Sequence, residues 1–435
     1  MKRITVLFLL IIAIVETHAQ NYQISFAAAG AITTIDSVKV ENLTQCTSLN
    51  LRGSDILHLI VSTGINELNK NADNTLCIYP NPMTDGCSID FEATVSGKTT
   101  LELFDMTGKR VLQIQELLSK GHHTYNLSGI SSGMYSLKIE SDNYSYTAKI
   151  ISSNATSRIA EIKHIEIIPD IDRQNKASNT RTMRISKGGK SMIDMQYHTG
   201  DILKFTGKSG NHHTVLTLVP TQTQTVTYNF IACTDADSNH YAVVQIGTQL
   251  WMAENLKVGA MINSTTSGSQ QTNNGIIERY CYNNDTVNCN VYGGLYEWNE
   301  MMQYALSDTG MTGKTQGVCP SGWHIPTHHE WTTLTTYLGG ESVACGKLKE
   351  TGTIHWNSPN IGATNSSGFT ALPGSSRDGY DGSFRAPGYF GGFWTATEYG
   401  GSYAWGRYLS YGSAGVSSDG NGKTSGFSVR CLKDN

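Results

Sequence analysis

Short runs in which apolar and polar residues alternate recur along most of the chain, and long helical periodicity is rare. That pattern predicts strands with one face inward. Val38, Val40 and Leu43 form one run, and Leu57, Leu59 and Val61 another, with Gly53-Ser54-Asp55 as the turn between them. Alternation returns in residues 192–231. Ile193, Met195 and Tyr197 interleave with Met192, Asp194 and Gln196, then come Leu203, Phe205, a turn at Gly207–Gly210, and a strand from Thr214 to Val219. Tyr228-Asn229-Phe230 closes it. The two regions are expected to pair as one β-sandwich, with residues 20–67 continued at 155–231. The intervening insertion sits at a loop, where extra length adds little closure entropy.

Residues 68–152 read as a separate small β module. Tyr79-Pro80-Asn81-Pro82 is a stiff turn, because each proline fixes φ and removes a donor. Leu101 and Leu103 lead into a hairpin through Phe104 to Val111, and Gly133 to Ile139 is a closing strand. Residues 153–191 are polar, with Arg173, Lys176, Arg181, Arg184, Lys187 and Lys190 scattered through them. No aromatics interleave with these charges, so a solvated linker is favoured over a basic binding arm. Residues 192–231 follow as a β segment and 232–435 as the last domain.

The clearest helix signal lies in that last domain. Thr327-His328-His329-Glu330 has the form of a capping box, Thr as N-cap and Glu at N3. The helix it opens, Trp331 to Leu338, is expected to stop at Gly339-Gly340. The stretch Cys319 to Trp331 is its organising centre, with Trp323 filling the core. The fold class is therefore multi-domain and β-rich, with β-sandwich modules followed by an α+β domain.

Three bulk features narrow the function. Lys2-Arg3, the apolar run Ile4 to Val15 and the small-residue site Thr17-His18-Ala19 form an export signal. Cleavage after Ala19 makes Gln20 the first residue of residues 20–435. The run is too short to span a bilayer, and no later stretch is long enough. The formal net charge of -4 offers no basic face for nucleic acid. Nine cysteines in an exported chain point to disulfide stapling, and an odd count leaves at least one outside an internal pair. The expected pairs are Cys319–Cys431 and Cys281–Cys289, with Cys77–Cys87 third. Cys46, Cys233 and Cys345 have no assigned partner.

Two resemblances follow from ordered motifs. The YPNP turn, the FDMTGKRV hairpin and LSGISSGMYSLKI resemble the sorting domain of the type IX secretion system. That resemblance implies the secretion machinery as a partner. Such a domain normally ends its protein, and here the chain continues, so a retained immunoglobulin-like spacer stays open as the alternative. From Cys233 to Asn435, the order DADSNHYAVVQIGTQLWMAENLK, YGGLYEW, CPSGWHIPTHHEWTTLTTYLGG, GKLKETGTIHW, GFTALPGSSR, GFWTATEY and GFSVRCLKD is similar to the Fibrobacter succinogenes major paralogous domain. This implies a C-type-lectin-like fold and an exported or cell-surface location, with no general activity.

That frame offers several candidate sites. Asp235, Asp237 and Asn239 mimic the start of a calcium loop, but His240 stands where the loop needs Gly and Ile246 where it needs Glu. A hairpin turn is favoured over a calcium site, and no other cofactor is expected. Calcium-dependent lectins use a Glu-Pro-Asn-type loop and a late Trp-Asn-Asp. This chain offers only Trp298-Asn299-Glu300, on an expected helix. The histidine pairs His122-His123, His212-His213 and His328-His329 chelate poorly, because neighbours on a strand point to opposite faces. Formylglycine-generating enzymes share the implied fold and need two reactive cysteines near the terminus, where Cys431 stands alone.

The richest region is Phe393 to Asp419. Trp394, Tyr399, Tyr403, Trp405, Arg407, Tyr408 and Tyr411 lie on a Gly/Ser background, the composition of a binding surface. Odd positions of 403–411 share one strand face. The expected ligand-binding set is Trp405, Arg407, Tyr411 and Tyr403, flanked by Asp381 and Arg385 in a Gly-rich loop with Asp378 and Tyr380. The expectation is a secreted or surface-displayed, non-catalytic binding protein for a glycan or protein ligand. A structural stalk without a ligand is the alternative, and a formylglycine-generating-type enzyme comes third.

Overall fold

The computed structural model describes residues 21–61, 76–79, 83, 86–152, 160–165, 183–185, 190–265, 270–353, 355–357, 360–385 and 387–434. The export signal with Ala19 and Gln20, the two prolines of the YPNP turn, the side chain of Cys77, and Arg173, Lys176, Arg181 and Lys187 lie outside the described residues. The chain is β-rich, with strand at 46% and helix at 9%.

The N-terminal region is a sandwich built from both sides of an insertion. One sheet has the order Met183–Ile185, Ser191–Tyr197, Ile56–Val61, Tyr22–Ala29, Gln224–Asn229. Within it, Ile56–Val61 pairs in parallel with the strand from Met192, and Tyr22–Ala29 pairs in parallel with Gln224–Asn229. Ile24, Leu57, Leu59, Ile193, Met195, Tyr197, Val226 and Tyr228 face Val38, Val40, Leu203 and Phe205 across the core. The period-2 pattern decides which residues go in. Ile193, Met195 and Tyr197 are buried while Met192, Asp194 and Gln196 are half-buried. Two strands, Glu161–Ile165 and Met183–Ile185, fall within the stretch expected to be polar linker, each pairing at a sheet edge.

The inserted module is a second, smaller sandwich. One sheet runs Tyr144–Ser152, Gly133–Ser141, Gly97–Asp105, Arg110–Leu118, and the other Glu161–Ile165, Gly121–Ser128, Gly86–Ala93, Cys77–Tyr79. Ile89, Phe91, Tyr125, Leu101, Leu103, Leu137 and Ile139 close a core between them with no exposed surface. Asp105 organises the hairpin after Phe104, its carboxylate accepting from the N–H groups of Thr107 and Lys109.

Among its described residues the C-terminal region carries four short α-helices: α1 (Thr286–Tyr292), α2 (Trp298–Met301), α3 (His328–Tyr337) and α4 (Glu341–Leu348). Helix α3 begins three residues before Trp331. The Thr327 hydroxyl accepts from the Glu330 N–H, and the Glu330 carboxylate accepts from the Thr327 N–H, which completes the capping box. Such a cap contributes about 1 kcal/mol. The α3 register places Trp331, Leu334 and Leu338 with Trp251, Phe369 and Phe393 in one core. Trp323, Trp298, Trp394 and Tyr296 form a second core beside it.

Disulfides join Cys281 to Cys289 and Cys319 to Cys431. The second spans a sequence separation of 112, for which the chain-entropy argument gives about 4–5 kcal/mol. Cys46 is also disulfide-bonded. Cys233 and Cys345 are buried thiols, and burial raises the pKa of each, so both behave as small apolar side chains.

The sheet does not break between sandwich and C-terminal region. His212–Leu218 pairs in parallel with Ala242–Ile246. The result is one eight-stranded sheet, in the order Trp323–His324, Leu432–Lys433, Gln249–Met252, Ala242–Ile246, His212–Leu218, Leu203–Ser209, Ser37–Asn42, Thr47–Arg52.

Candidate functional site

The strand Tyr403–Ser410 is the middle of a three-stranded sheet between Phe390–Gly400 and Ser417–Gly422. A middle strand covered on both sides has no solvent face. On one side Arg407 and Leu409 lie under α3 and α4. On the other Ala404 and Gly406 are buried, and Tyr408 meets Phe427 edge to face at 5.6 Å. The shared odd face of 403–411 is therefore an interior face along its middle, and the expected site does not form as one surface.

Arg407 is the clearest correction. It has no exposed surface. Nη1 donates to Glu341 Oε1 at 2.6 Å, and Nη2 donates to the His328 carbonyl at 3.0 Å and to Thr332 Oγ1 at 2.8 Å. Its guanidinium ties the N-termini of α3 and α4 to the sheet and offers nothing to a ligand. His328 beside it is held neutral. Burial, then the Arg407 charge, push its pKa down to about 4.

Trp405 and Tyr411 stand at opposite ends of this face. Trp405 is half-buried, with the His328 ring at 4.3 Å and the Tyr399 ring at 4.6 Å. Tyr411 packs edge to face on Tyr389 at 5.3 Å, and its carbonyl accepts from the Ile361 N–H. Asp381 and Arg385 are exposed on a third element, the loop 378–385. There Arg385 pairs with Asp378, Asp381 accepts from Ser383, and Phe384 packs on Tyr282.

Tyr403 remains at the surface, 52% exposed, and Tyr399 across the hairpin turn is 56% exposed. The strand Phe390–Gly400 has two register irregularities between Trp394 and Gly400. Such bulges redirect the side chains that follow. The loop carrying Leu306, itself 90% exposed, is pinned to this strand. Asp308 donates its N–H to the Ala396 carbonyl, Thr397 Oγ1 donates to the Asp308 carbonyl, and the Glu398 N–H donates to Ser307 Oγ. Tyr399, Tyr403, Leu306 and the edge of Trp405 thus belong to one end of the domain, with Glu398 and Lys423 paired beside them. Sequence reasoning passed over Tyr399 as a site residue and missed Leu306. The available signal was Tyr399-Gly400-Gly401-Ser402-Tyr403, two aromatics flanking a Gly-Gly turn.

The remaining candidates resolve into scaffold. Asp235 accepts from the N–H groups of Asp237 and Asn239, from the Asn239 amide and from the Tyr241 hydroxyl. Its carboxylate oxygens are saturated by donors in a tight turn, which is poor chemistry for a cation. Among the described residues no group of three His, Cys, Asp or Glu side chains is placed to hold a metal ion. His123 meets the His164 ring at a 42° tilt, with Tyr125 stacked on His164, and His324 lies between Glu330 and Asp434. Trp298 and Glu300 sit on α2, both buried.

This architecture, an exported β-rich chain with a disulfide-tied terminal domain, has clear relatives at the family level. Residues 244–433 match the Fibrobacter succinogenes major domain, and residues 77–153 match the secretion system C-terminal sorting domain. No curated protein and no solved structure matches the chain. The chain thus carries a Fibrobacter succinogenes major domain behind an internal sorting domain. The sorting domain indicates secretion and cell-surface attachment and implies interaction with the secretion machinery. Among the described residues no helix is long and apolar enough to cross a membrane.

Proposed function

We propose that the protein is a non-catalytic binding protein of the cell surface. Its ligand surface is the end of the C-terminal domain that carries Tyr399, Tyr403 and Leu306. The observation that carries this reading is the exposure of two tyrosines, 56% and 52%, on the tip of a hairpin whose base, at Trp394, Thr395, Ala396, Ala404 and Arg407, is buried. Rigid aromatic side chains on a fixed scaffold lose little entropy on binding. The two paired helices, the small sheets and the Cys319–Cys431 link between early and late segments support a C-type-lectin-like architecture for this domain. The non-catalytic reading is supported by the same disulfide, because an oxidised Cys431 is not a nucleophile. A shallow hollow of about 280 Å³ lined by Ile246, Gln249, Thr333 and Tyr337 collects no charged side chain.

The test is a glycan and surface-protein array probed with the exported chain beside a Tyr399→Ala, Tyr403→Ala double variant of unchanged melting temperature. Binding lost in the double variant is the expected result. Binding that survives it moves the ligand surface elsewhere. An array with no bound feature, with and without calcium, replaces the binding reading with a structural stalk.

A further inference from the structure

We propose that the outer edge of Gly121–Ser128 in the sorting domain is a strand-docking site, which the chain's own residues 161–165 cap. Its partner is an extended protein segment with an apolar residue and, two positions on, a basic one. The domain is complete without the cap. Seven described strands from Cys77 to Ser152 build its two sheets, and all lie within the matched residues 77–153. Glu161–Ile165 lies beyond the match and adds an outer strand beside Gly121–Ser128. Without it, Gly121–Ser128 is an edge. That strand reads GHHTYNLS, with no Lys, Arg, Asp, Glu or Pro, and no bulge interrupts its register with Gly86–Ala93. Charges, prolines and bulges are the devices by which natural edges refuse a further strand. An edge lacking them accepts an extended segment through its free backbone groups.

The cap is lightly fastened. Its ladder runs only from Glu161 opposite Ser128 to Ile165 opposite Thr124, whereas Gly86–Ala93 pairs with Gly121–Ser128 from end to end. Glu161 and Lys163 are exposed and pair with each other in solvent, which contributes little. Ile162, opposite Leu127, is buried and joins the domain core. His164, opposite Tyr125, is half-buried, with the two rings stacked at 4.5 Å. Its Nδ1 lies 3.4 Å from Glu116 Oε2, to which the Tyr125 hydroxyl also donates, and its Nε2 lies 3.2 Å from His123 Nδ1. A short outer strand held by one apolar anchor and one ring opens at far lower free energy than the strands of the core. The same two positions define what an incoming strand must carry. One is an apolar side chain beside Leu127. The other, two residues on, is a flat cationic group over Tyr125 that meets the Glu116 carboxylate.

Fluorescence anisotropy of a labelled peptide with the sequence of residues 160–166, titrated with the exported chain, tests this. Melting temperature and circular dichroism check each variant. Ile162→Asp in the chain frees the edge and should bind the peptide about tenfold or more tighter than wild type, whose edge is occupied. Ile162→Ala, the milder change, should fall between. A peptide with His164→Arg should bind the Ile162→Asp chain at least as tightly as the parent peptide, and one with His164→Glu about tenfold or more weaker. In hydrogen exchange read by mass spectrometry, residues 161–165 of the wild type should exchange well ahead of 133–141, and added peptide should slow 121–128 in the Ile162→Asp chain. Equal affinity for wild type and both variants, or no binding to any, overturns the docking edge. So does exchange of 161–165 as slow as that of 133–141, or loss of the domain's fold in Ile162→Ala, since either makes the strand part of the core. Equal binding of the Arg and Glu peptides overturns the stated partner chemistry. An Ile162→Asp chain that dimerises in light scattering and excludes the peptide gives the edge to a second copy and overturns it too.

Discussion

Arg407 shows how far one residue's role depends on what covers it. A guanidinium without exposed surface needs partners for its donors, and here Nη1 and Nη2 reach Glu341, the His328 carbonyl and Thr332, while Nε is left without a hydrogen bond. Glu341 keeps half its side chain in water, so the ion pair itself contributes little. The larger effect is that the His328 carbonyl and Thr332 hydroxyl lose a buried donor. Arg407→Met, which keeps the stem's packing, is expected to cost about 2–4 kcal/mol in urea denaturation, with an unchanged m-value. A variant as stable as wild type would show that the guanidinium does not fasten the helices. From sequence, the alternation of 403–411 was legible, and it placed Trp405 and Arg407 along one side of the strand Tyr403–Ser410, with Tyr411 in the turn just beyond it. The pattern does not say whether that side meets water or a helix. The covering helices come from residues 328–348, and no local signal links them to Arg407.

At the scale of an element, helix α3 was the most legible feature, because the information for its start is local. Thr327 and Glu330 specify the cap within four positions, and Gly339 ends the helix with φ 100°. What the sequence did not display is that Glu330 serves a second element. His324 Nε2 lies 3.1 Å from Glu330 Oε1, and Nδ1 lies 2.7 Å from Asp434 Oδ1. Both partners accept only, so both ring nitrogens carry protons. Burial by itself would lower the His324 pKa. The hydrogen bonds to the two carboxylates outweigh it and raise the pKa above its ordinary 6.5. A folded-state pKa above the unfolded value means that this clasp stabilises fully below about pH 6.5. Its contribution is lost as pH rises through the folded value. Replacing His324 with Gln should therefore lower the urea midpoint more at pH 5.5 than at pH 8.5, and should flatten the part of the stability profile above pH 6.5. An equal loss at both pH values would mean that the imidazole acts by packing alone. The disulfides Cys281–Cys289 and Cys319–Cys431 were also legible, because export and spacing restrict the choices.

On the scale of the whole molecule, the shared eight-stranded sheet sets the outcome. The two sheets of the sorting domain are built from strands of residues 77–165 alone, so its removal interrupts no other sheet among the described residues. The C-terminal domain is different. His213, Thr214 and Val215 pair with Ala242, Val243 and Val244, and Val215 is part of the same core as Trp251, Trp331 and Phe369. Thr217 Oγ1 donates to the Ser366 carbonyl at 2.7 Å. Gly368, at φ 71°, approaches so closely that an added Cβ would lie 2.9 Å from Val215. These contacts cross from one end of the sequence pattern to the other, and alternation alone cannot reveal them, since a parallel partner need not be adjacent in sequence. A fragment of residues 232–435 would uncover Ala242 and Val244 along an unpaired edge, which invites aggregation. Such a fragment is expected to melt well below the full chain, by about 5 °C or more, and to associate on concentration. Extending it back to residue 190 restores His212–Leu218 and should recover much of the loss. Equal melting temperatures for the full chain and the 232–435 fragment would refute the coupling. If the coupling holds, the sandwich and the C-terminal domain, joined through one eight-stranded sheet, unfold together as a single cooperative unit.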